Sequence, residues 1–187
     1  THEGSVGLAK KMIAAAVNSG ADIVKLQTHI FEAESLPNAP NPPYFEGESR
    51  KEYFDRTAFN KVQYIDLIDY CSKLGIELIS SPFSIEALNL LLDVGMKTIK
   101  IPSGEVSNEL LLREIAKHQI EVILSSGMSS DNELDRAVEI LKSGANRKLT
   151  ILQCTSEYPC PPEQVGLKYI SELKEKYGIA VGFSDHT

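Results

Sequence analysis

The chain has 187 residues, of which 42% are hydrophobic and 24% are charged, and its formal net charge is −7. This length suits one well-packed domain better than two, and a negative charge without a Lys/Arg-rich block argues against a nucleic-acid or anionic-membrane surface. Three cysteines without a C-x-x-C spacing, and no apolar run near the roughly 18 residues of a membrane span, favour a reducing, cytoplasmic location.

The pattern of apolar residues predicts helices and strands in alternation along the chain. A helix over 6–19, with Leu8, Met12 and Ala16 on one stripe, is followed by Gly20 and a strand at 21–27. Further strands are predicted at 76–81, 98–103, 122–126, 149–154 and 179–184, and further helices around 61–74, 85–94, 108–118, 131–143 and 163–177. Strict alternation indicates a parallel sheet with helical crossovers, because parallel neighbours cannot be joined by a tight turn.

Polar residues stand at the carboxyl end of every predicted strand. They are Lys25, Gln27, Ser80, Ser81, Lys100, Ser103, Ser125, Ser126, Cys154, Thr155, Ser184 and His186. In a (β/α)8 TIM barrel all strand ends meet at one mouth, whereas in a doubly wound open sheet only the ends at the switch point meet. The sequence therefore favours an α/β TIM barrel. Because six strands are present and a helix comes first, residues 1–187 are expected to hold strands 2–7 of an incomplete catalytic barrel, with strands 1 and 8 missing.

Two lysines lie within strands of the buried type. Lys25 and Lys100 are each flanked by apolar residues, and a buried ammonium is costly unless it meets an anion. Each lysine alone is explained equally well by a structural carboxylate. Two lysines at equivalent strand ends, with Ser81, Ser103, Ser125 and Ser184 available as donors, favour an anion-binding site instead.

Two further side chains have open interpretations. Glu105 follows the Lys100 strand, where it would bind substrate hydroxyls or move protons, or would complement the helix that starts near residue 108. His186 is a candidate metal ligand, a general base or a simply hydrogen-bonded histidine. The long connection over 31–59 is interpreted either as a cover for the mouth or as a subunit contact.

Seven motifs resemble the sialic acid synthase family, whose members make nine-carbon nonulosonic acids. In chain order they are THEGS, ADIVKLQTH, ISSPFS, IKIPSGE, VILSSGM, QCTSEYPCP and GFSDHT. The resemblance implies a TIM barrel followed by a C-terminal antifreeze-like domain, absent from residues 1–187, that completes the partner's site in a homodimer. It also implies condensation of phosphoenolpyruvate with an open-chain 2-acetamido sugar, such as N-acetylmannosamine, with release of phosphate. A divalent metal, Mn²⁺ or Mg²⁺, polarises the sugar aldehyde in such a reaction.

Carried over by position, the resemblance assigns a role to each candidate residue. Phosphoenolpyruvate would be bound by Lys25, Ser81, Lys100, Ser103, Ser125, Ser156 and Ser184, the sugar by Gln27, Glu105 and Tyr158, and the metal by His186. This sequence has serine where well-known members have threonine, at Ser81 and Ser126, and has Ser156 where they have asparagine. The family's first-strand catalytic glutamate and its second metal-binding histidine have no position in these residues.

Other functions remain open from the sequence. Lys25 or Lys100 could act as the Schiff-base nucleophile of an aldolase. A phosphoenolpyruvate-binding barrel fragment without turnover is the non-enzyme alternative. The sequence does not choose between N-acetylmannosamine and the precursors of legionaminic or pseudaminic acid.

Overall fold

A computed structural model describes residues 2–41 and 47–187. The chain divides into two compact units, Thr1–Met96 and Lys97–Thr187. Each unit contains parallel strands joined by helices, so the predicted α/β class is confirmed. Within the described residues, no helix is both long enough and apolar enough to cross a bilayer.

The first unit is built on two parallel strands. Its elements are α1 (Val6–Asn18), β1 (Ile23–Thr28), α2 (Phe31–Glu34), α3 (Arg50–Thr57), α4 (Lys61–Leu74), β2 (Glu77–Pro82) and α5 (Ile85–Asp93). Helix α4 buries Tyr64, Leu67 and Cys71, which recur at helical spacing on one stripe. That stripe packs α4 against α1 and β2, and Gly75 ends the helix in the left-handed conformation at φ 70°.

The segment over 31–59 is more structured than its length suggested, because it contains α2 and α3. Ser49 begins α3 with a capping box: its side chain accepts from the backbone N–H of Glu52, whose carboxylate accepts from the backbone N–H of Ser49. Residues 42–46, which the long-connection prediction includes, lie outside the described residues.

The second unit is a four-stranded parallel sheet. Its elements are β3 (Thr98–Ile101), a 3₁₀ turn (Ser103–Glu105), α6 (Glu109–Ala116), β4 (Glu121–Ser125), α7 (Asp131–Lys142), β5 (Lys148–Cys154), a 3₁₀ turn (Pro162–Gln164), α8 (Lys168–Tyr177) and β6 (Ala180–Ser184). Each strand pairs with the next one in the sequence. Helices α6 and α7 pack on each other, so these crossovers lie on the same side of the sheet. The order within this unit therefore has no switch point.

One helix differs from its prediction. Residues 163–177 do not form a continuous helix, because a 3₁₀ turn at Pro162–Gln164 is separated from α8. Gly166 lies between them with φ +69°, a left-handed conformation that interrupts a right-handed helix. The other predicted helices and strands are confirmed, with ends within two residues of those predicted.

The core of the second unit covers one face of its sheet. Ile99, Ile101, Val122, Leu124 and Ile151 share this face by register, and each is at most 1% exposed. The apolar stripes of α6 and α7 are also buried. Burial of this apolar surface drives the packing and leaves the opposite face of the sheet for other chemistry.

Candidate active site

Four polar side chains share the second face of the four-stranded sheet. Successive side chains along a strand point to opposite faces. The parallel register, in which Cys154 pairs directly with Ser184, therefore places Lys100, Ser125, Cys154 and Ser184 together on the face opposite the apolar core. Each stands at the last or next-to-last residue of its strand. The predicted gathering of polar residues at carboxyl strand ends is thus confirmed within this unit.

Ser103, Cys154 and Ser156 converge on Gly127, and we call these four residues the serine basin. A β-carbon placed on Gly127 would lie 2.5 Å from Ser156 Oγ, 2.7 Å from Ser103 Oγ and 3.1 Å from Cys154 Sγ. The hydroxyl of Ser103 also donates to Cys154 Sγ at 3.6 Å. Only glycine leaves room for the three polar side chains, so they face a common small space.

Lys100 adds a positive charge to this face. Its side chain is half-buried, and burial lowers the pKa of its ammonium, whereas the nearby Cys154 opposes that shift. Desolvation disfavours the charged form of a lysine. An anion bound beside Lys100 would relieve this cost, as the sequence argument required.

His186 lies in a hydrogen-bonded cluster at the end of β6. Its Nδ1 is 2.9 Å from the carbonyl oxygen of Thr155, and because a carbonyl can only accept, Nδ1 carries the proton. Its Nε2 is then an acceptor, 3.3 Å from the hydroxyl of Tyr158 and 3.4 Å from Ser184 Oγ. The Tyr158 ring leans against the imidazole with centroids 4.3 Å apart.

This arrangement fits one ligand of a metal site. Histidines that bind metals commonly donate their other ring N–H to a carbonyl, which fixes the tautomer, and His186 does so. In the described ranges, no group of three or more His, Cys, Asp or Glu side chains could hold a metal ion. His186 Nε2 therefore fits the role of one metal ligand.

Glu105 ends the 3₁₀ turn that follows β3. Its Oε2 accepts a hydrogen bond from Asn108 Nδ2 at 2.7 Å, and the Asn108 side chain caps α6 by accepting from the backbone N–H of Leu111. The carboxylate is thus held at the start of α6, as its structural interpretation expected. It remains half-buried.

In the first unit, the predicted substrate contacts Lys25, Gln27 and Ser81 share a face of the β1–β2 pair. Gln27 stands directly beside Ser81 in the register. The expectation that Lys25 is buried is wrong, since Lys25 and Gln27 are exposed. Of the described strands in this unit, β1 pairs with β2 alone. Ser81 is fully buried, and its Oγ has no hydrogen-bond partner among the described residues.

Two residues at the site, Gly127 and Cys154, were not predicted as site residues from the sequence. Gly127 was visible only as part of a motif, and its role follows from the close approach of Ser103, Cys154 and Ser156. Cys154 was recognised as a strand-end residue but received no role. Their proximity becomes visible only from the register, which places β4 and β5 side by side.

Residues 12–187 match the sequence profile of the NeuB family. The chain belongs to the NeuB family. The N,N′-diacetyllegionaminic acid synthase of Campylobacter jejuni is 39% identical over 195 residues, which cover 100% of this NeuB-family chain and 58% of that protein. A Legionella pneumophila protein of the same name is 33% identical, with 100% and 55% covered. Other relatives are named pseudaminic acid synthase and N-acetylneuraminate-9-phosphate synthase.

A solved structure supports the same relationship. The sialic acid synthetase of Leptospira borgpetersenii, crystallised with citrate, is 31% identical and superposes with a TM-score of 0.84, covering 100% of this chain and 62% of that one. The relatives are thus nonulosonic acid synthases. This NeuB-family chain spans about half the length of the curated relatives it matches.

Proposed function

We propose that the full-length protein is a nonulosonic acid synthase that condenses phosphoenolpyruvate with the aldehyde of an open-chain 2-acetamido sugar and releases phosphate. The observation that carries this proposal is the single sheet face that holds Lys100, Ser125, Cys154 and Ser184. One ammonium and several hydroxyls at one edge suit a small, multiply charged anion. The names of the relatives support the class of product.

The serine basin is the proposed location of the phosphoenolpyruvate anion. Ser103 and Ser156 would donate hydroxyl hydrogen bonds from the basin, and Ser125 and Ser184 would do so from neighbouring strand ends. Lys100 would supply the opposing charge. The family resemblance also assigns Lys25 and Ser81 to phosphoenolpyruvate and Gln27 to the sugar.

The reaction forms one carbon–carbon bond. C3 of phosphoenolpyruvate attacks the aldehyde carbon, and the aldehyde oxygen takes up a proton. Water adds at C2, and the bond between C2 and the phosphate oxygen breaks to release inorganic phosphate. Glu105 and the Tyr158 hydroxyl are the proposed sugar-side groups for binding and proton movement.

His186 is the residue that would hold a divalent metal, Mn²⁺ or Mg²⁺, through Nε2. The chemistry that such a metal supplies when bound is polarisation of the sugar aldehyde. His186 itself contributes a fixed tautomer, because Thr155 keeps the proton on Nδ1. The hydroxyls of Tyr158 and Ser184 lie at the same nitrogen, and a bound metal would replace them as its partner.

The architecture and setting are proposed on the same basis. Within the second unit, the absence of a switch point fits a singly wound TIM barrel better than a doubly wound sheet. We propose that the complete protein adds the two remaining strands and an antifreeze-like domain, forms a homodimer and works in the cytoplasm.

A phosphate-release assay on the full-length protein tests the function. Release is expected only when phosphoenolpyruvate, a 2-acetamido sugar and a divalent metal are all present. A panel of N-acetylmannosamine and the 2,4-diacetamido precursors of legionaminic and pseudaminic acids identifies the sugar. Binding of phosphoenolpyruvate without turnover on any of these sugars would refute the synthase in favour of a binding module, and turnover insensitive to a chelator would refute the metal.

One observation favours a second candidate. Burial lowers the pKa of Lys100, which increases the fraction of neutral amine that a Schiff-base aldolase needs. Borohydride added during turnover would then trap a carbonyl substrate on Lys100 as a stable secondary amine. A mass spectrum that shows no adduct on Lys100 or Lys25 would exclude this mechanism.

A further inference from the structure

A buried chain of three hydroxyl groups joins β1, β2 and α4 in the first unit. Thr28 Oγ1 lies 2.6 Å from the hydroxyl of Tyr64 and 2.7 Å from Ser80 Oγ. The three side chains are 3%, 1% and 0% exposed, respectively. Buried hydroxyls rarely lack partners, and here each of them finds its partner within the chain.

These hydroxyls stand directly behind the predicted substrate contacts. Thr28 follows Gln27, and Ser80 precedes Ser81. Because alternate residues of a strand face opposite ways, Thr28 and Ser80 point to the α4 side, whereas Gln27 and Ser81 share the other face. Tyr64 is thus bonded to the end of β1 through Thr28, and through Thr28 to Ser80 of β2, on the side opposite Gln27 and Ser81.

We propose that Tyr64 is a positioning residue of the site, which through Thr28 and Ser80 fixes the ends of β1 and β2 and so holds Gln27 beside Ser81. The proposal rests on the function proposed above. Tyr64 touches no substrate in it. Its hydroxyl ties a helix to both strands at the level where their substrate contacts stand.

The environment of Ser81 shows why the hydrogen bonds of Thr28 and Ser80 matter for the proposed contacts. Its Oγ is fully buried yet has no hydrogen-bond partner among the described residues, so it is not held in place by a bond of its own. A hydroxyl donor stabilises an incoming anion most effectively when its position is fixed before the anion binds. The bond from Ser80 to Thr28 fixes the adjacent backbone and leaves Ser81 Oγ available to substrate.

The test uses full-length protein carrying Tyr64→Phe, which keeps the ring and removes the hydroxyl. Thr28→Val removes the central hydroxyl, and Thr28→Ser retains it. Tyr177→Phe is the matched control, because its hydroxyl donates to Asp135 Oδ1 at 2.7 Å on the surface between α7 and α8. Initial rates of phosphate release give kcat and the KM for each substrate, and melting curves give stability.

Tyr64→Phe and Thr28→Val are expected to raise the KM for phosphoenolpyruvate and for the sugar about tenfold, whereas Thr28→Ser and Tyr177→Phe stay within twofold of wild type. If Tyr64→Phe and Thr28→Val lower the melting temperature but leave both KM values within twofold, the hydroxyl chain is merely structural and the proposal falls.

Hydrogen–deuterium exchange separates this result from failure of the proposed function. Peptides spanning 23–30 and 76–83 are expected to exchange faster in Tyr64→Phe than in wild type, whether or not the protein turns over. A wild-type protein without phosphate release refutes the synthase itself. Unchanged exchange in those peptides refutes the positioning role independently of activity.

Discussion

Gly127→Ala is the sharpest perturbation of the serine basin. The added methyl group would lie 2.5 Å from Ser156 Oγ and 2.7 Å from Ser103 Oγ. Each oxygen must retreat by up to about 1 Å to reach an ordinary nonbonded separation of about 3.5 Å. A hydrogen bond of about 2.8 Å stretched by that amount no longer exists.

The magnitude follows from the contacts that are lost. A hydrogen bond to a charged group contributes about 1.5–3 kcal/mol, which corresponds to roughly 10- to 150-fold in affinity. Loss of one of the two serine contacts therefore predicts a rise of that size in the dissociation constant of phosphoenolpyruvate. Crowding of a packed site also costs about 1–3 kcal/mol of stability.

Calorimetric titration of phosphoenolpyruvate into the full-length variant measures the first effect, and thermal melting measures the second. Gly144→Ala is the matched control, since its methyl group would lie 2.3 Å from the backbone oxygen of Ala116, within the packing of the second unit. Gly104→Ala adds a methyl group with nothing within 4 Å. Gly144→Ala should lower stability alone, and Gly104→Ala should change neither quantity. Unaltered phosphoenolpyruvate affinity in Gly127→Ala would refute the basin as the anion site.

Three further variants test other contacts. Lys100→Met should weaken phosphoenolpyruvate binding yet raise the melting temperature at neutral pH. The pKa of Lys100 is lowered in the native state, so the native state disfavours the charged ammonium. This destabilisation is fully present below the native pKa and disappears as the pH rises toward the unfolded pKa of about 10.4. His186→Ala should raise the metal concentration needed for half-maximal activity by about 10-fold or more. Asn108→Ala should cost about 1 kcal/mol of stability through the lost α6 cap and should raise the KM for the sugar by releasing Glu105.

Each of these outcomes has a contrary result. A melting temperature for Lys100→Met that falls at neutral pH would show that an anionic side chain already compensates the ammonium. An unchanged metal requirement in His186→Ala would remove this histidine from the metal site. For Asn108→Ala, Ser130→Ala is the matched control, because Ser130 caps α7 in the same way. If Asn108→Ala and Ser130→Ala have equal KM values for the sugar, Glu105 does not bind the sugar.

The order of elements could be predicted from the sequence because helices and strands here have distinct periodicities of apolar residues and clear stop signals between them. Helix α1 was placed from its apolar stripe of Leu8, Met12 and Ala16 and from Gly20 after its end. Helix α3 was missed although Ser49 and Glu52 have the spacing of a capping box, because its sequence is mostly polar. The interruption at Gly166 was missed because a glycine alone does not reveal a positive φ.

The candidate site was predicted less completely, for a physical reason. Residue types at strand ends could be recognised one strand at a time, and so Lys100 and His186 could be named as candidates. The convergence on Gly127 and the bonding of Thr28 to Tyr64 depend on register and on helix packing, which no single segment encodes. The exposure of Lys25 has the same origin, because burial depends on which strands lie beside β1.

The uninterrupted order of β3 to β6 has a consequence for how this site can change. Each strand and its following helix form a repeating unit, and each unit places one side chain near the carboxyl end of the same face. A substitution at Ser125 or Ser184 would therefore change one proposed contact, because each of these side chains is carried by its own strand. Such a surface can change one side chain at a time, which suits a scaffold whose relatives are named as synthases of several related acidic sugars.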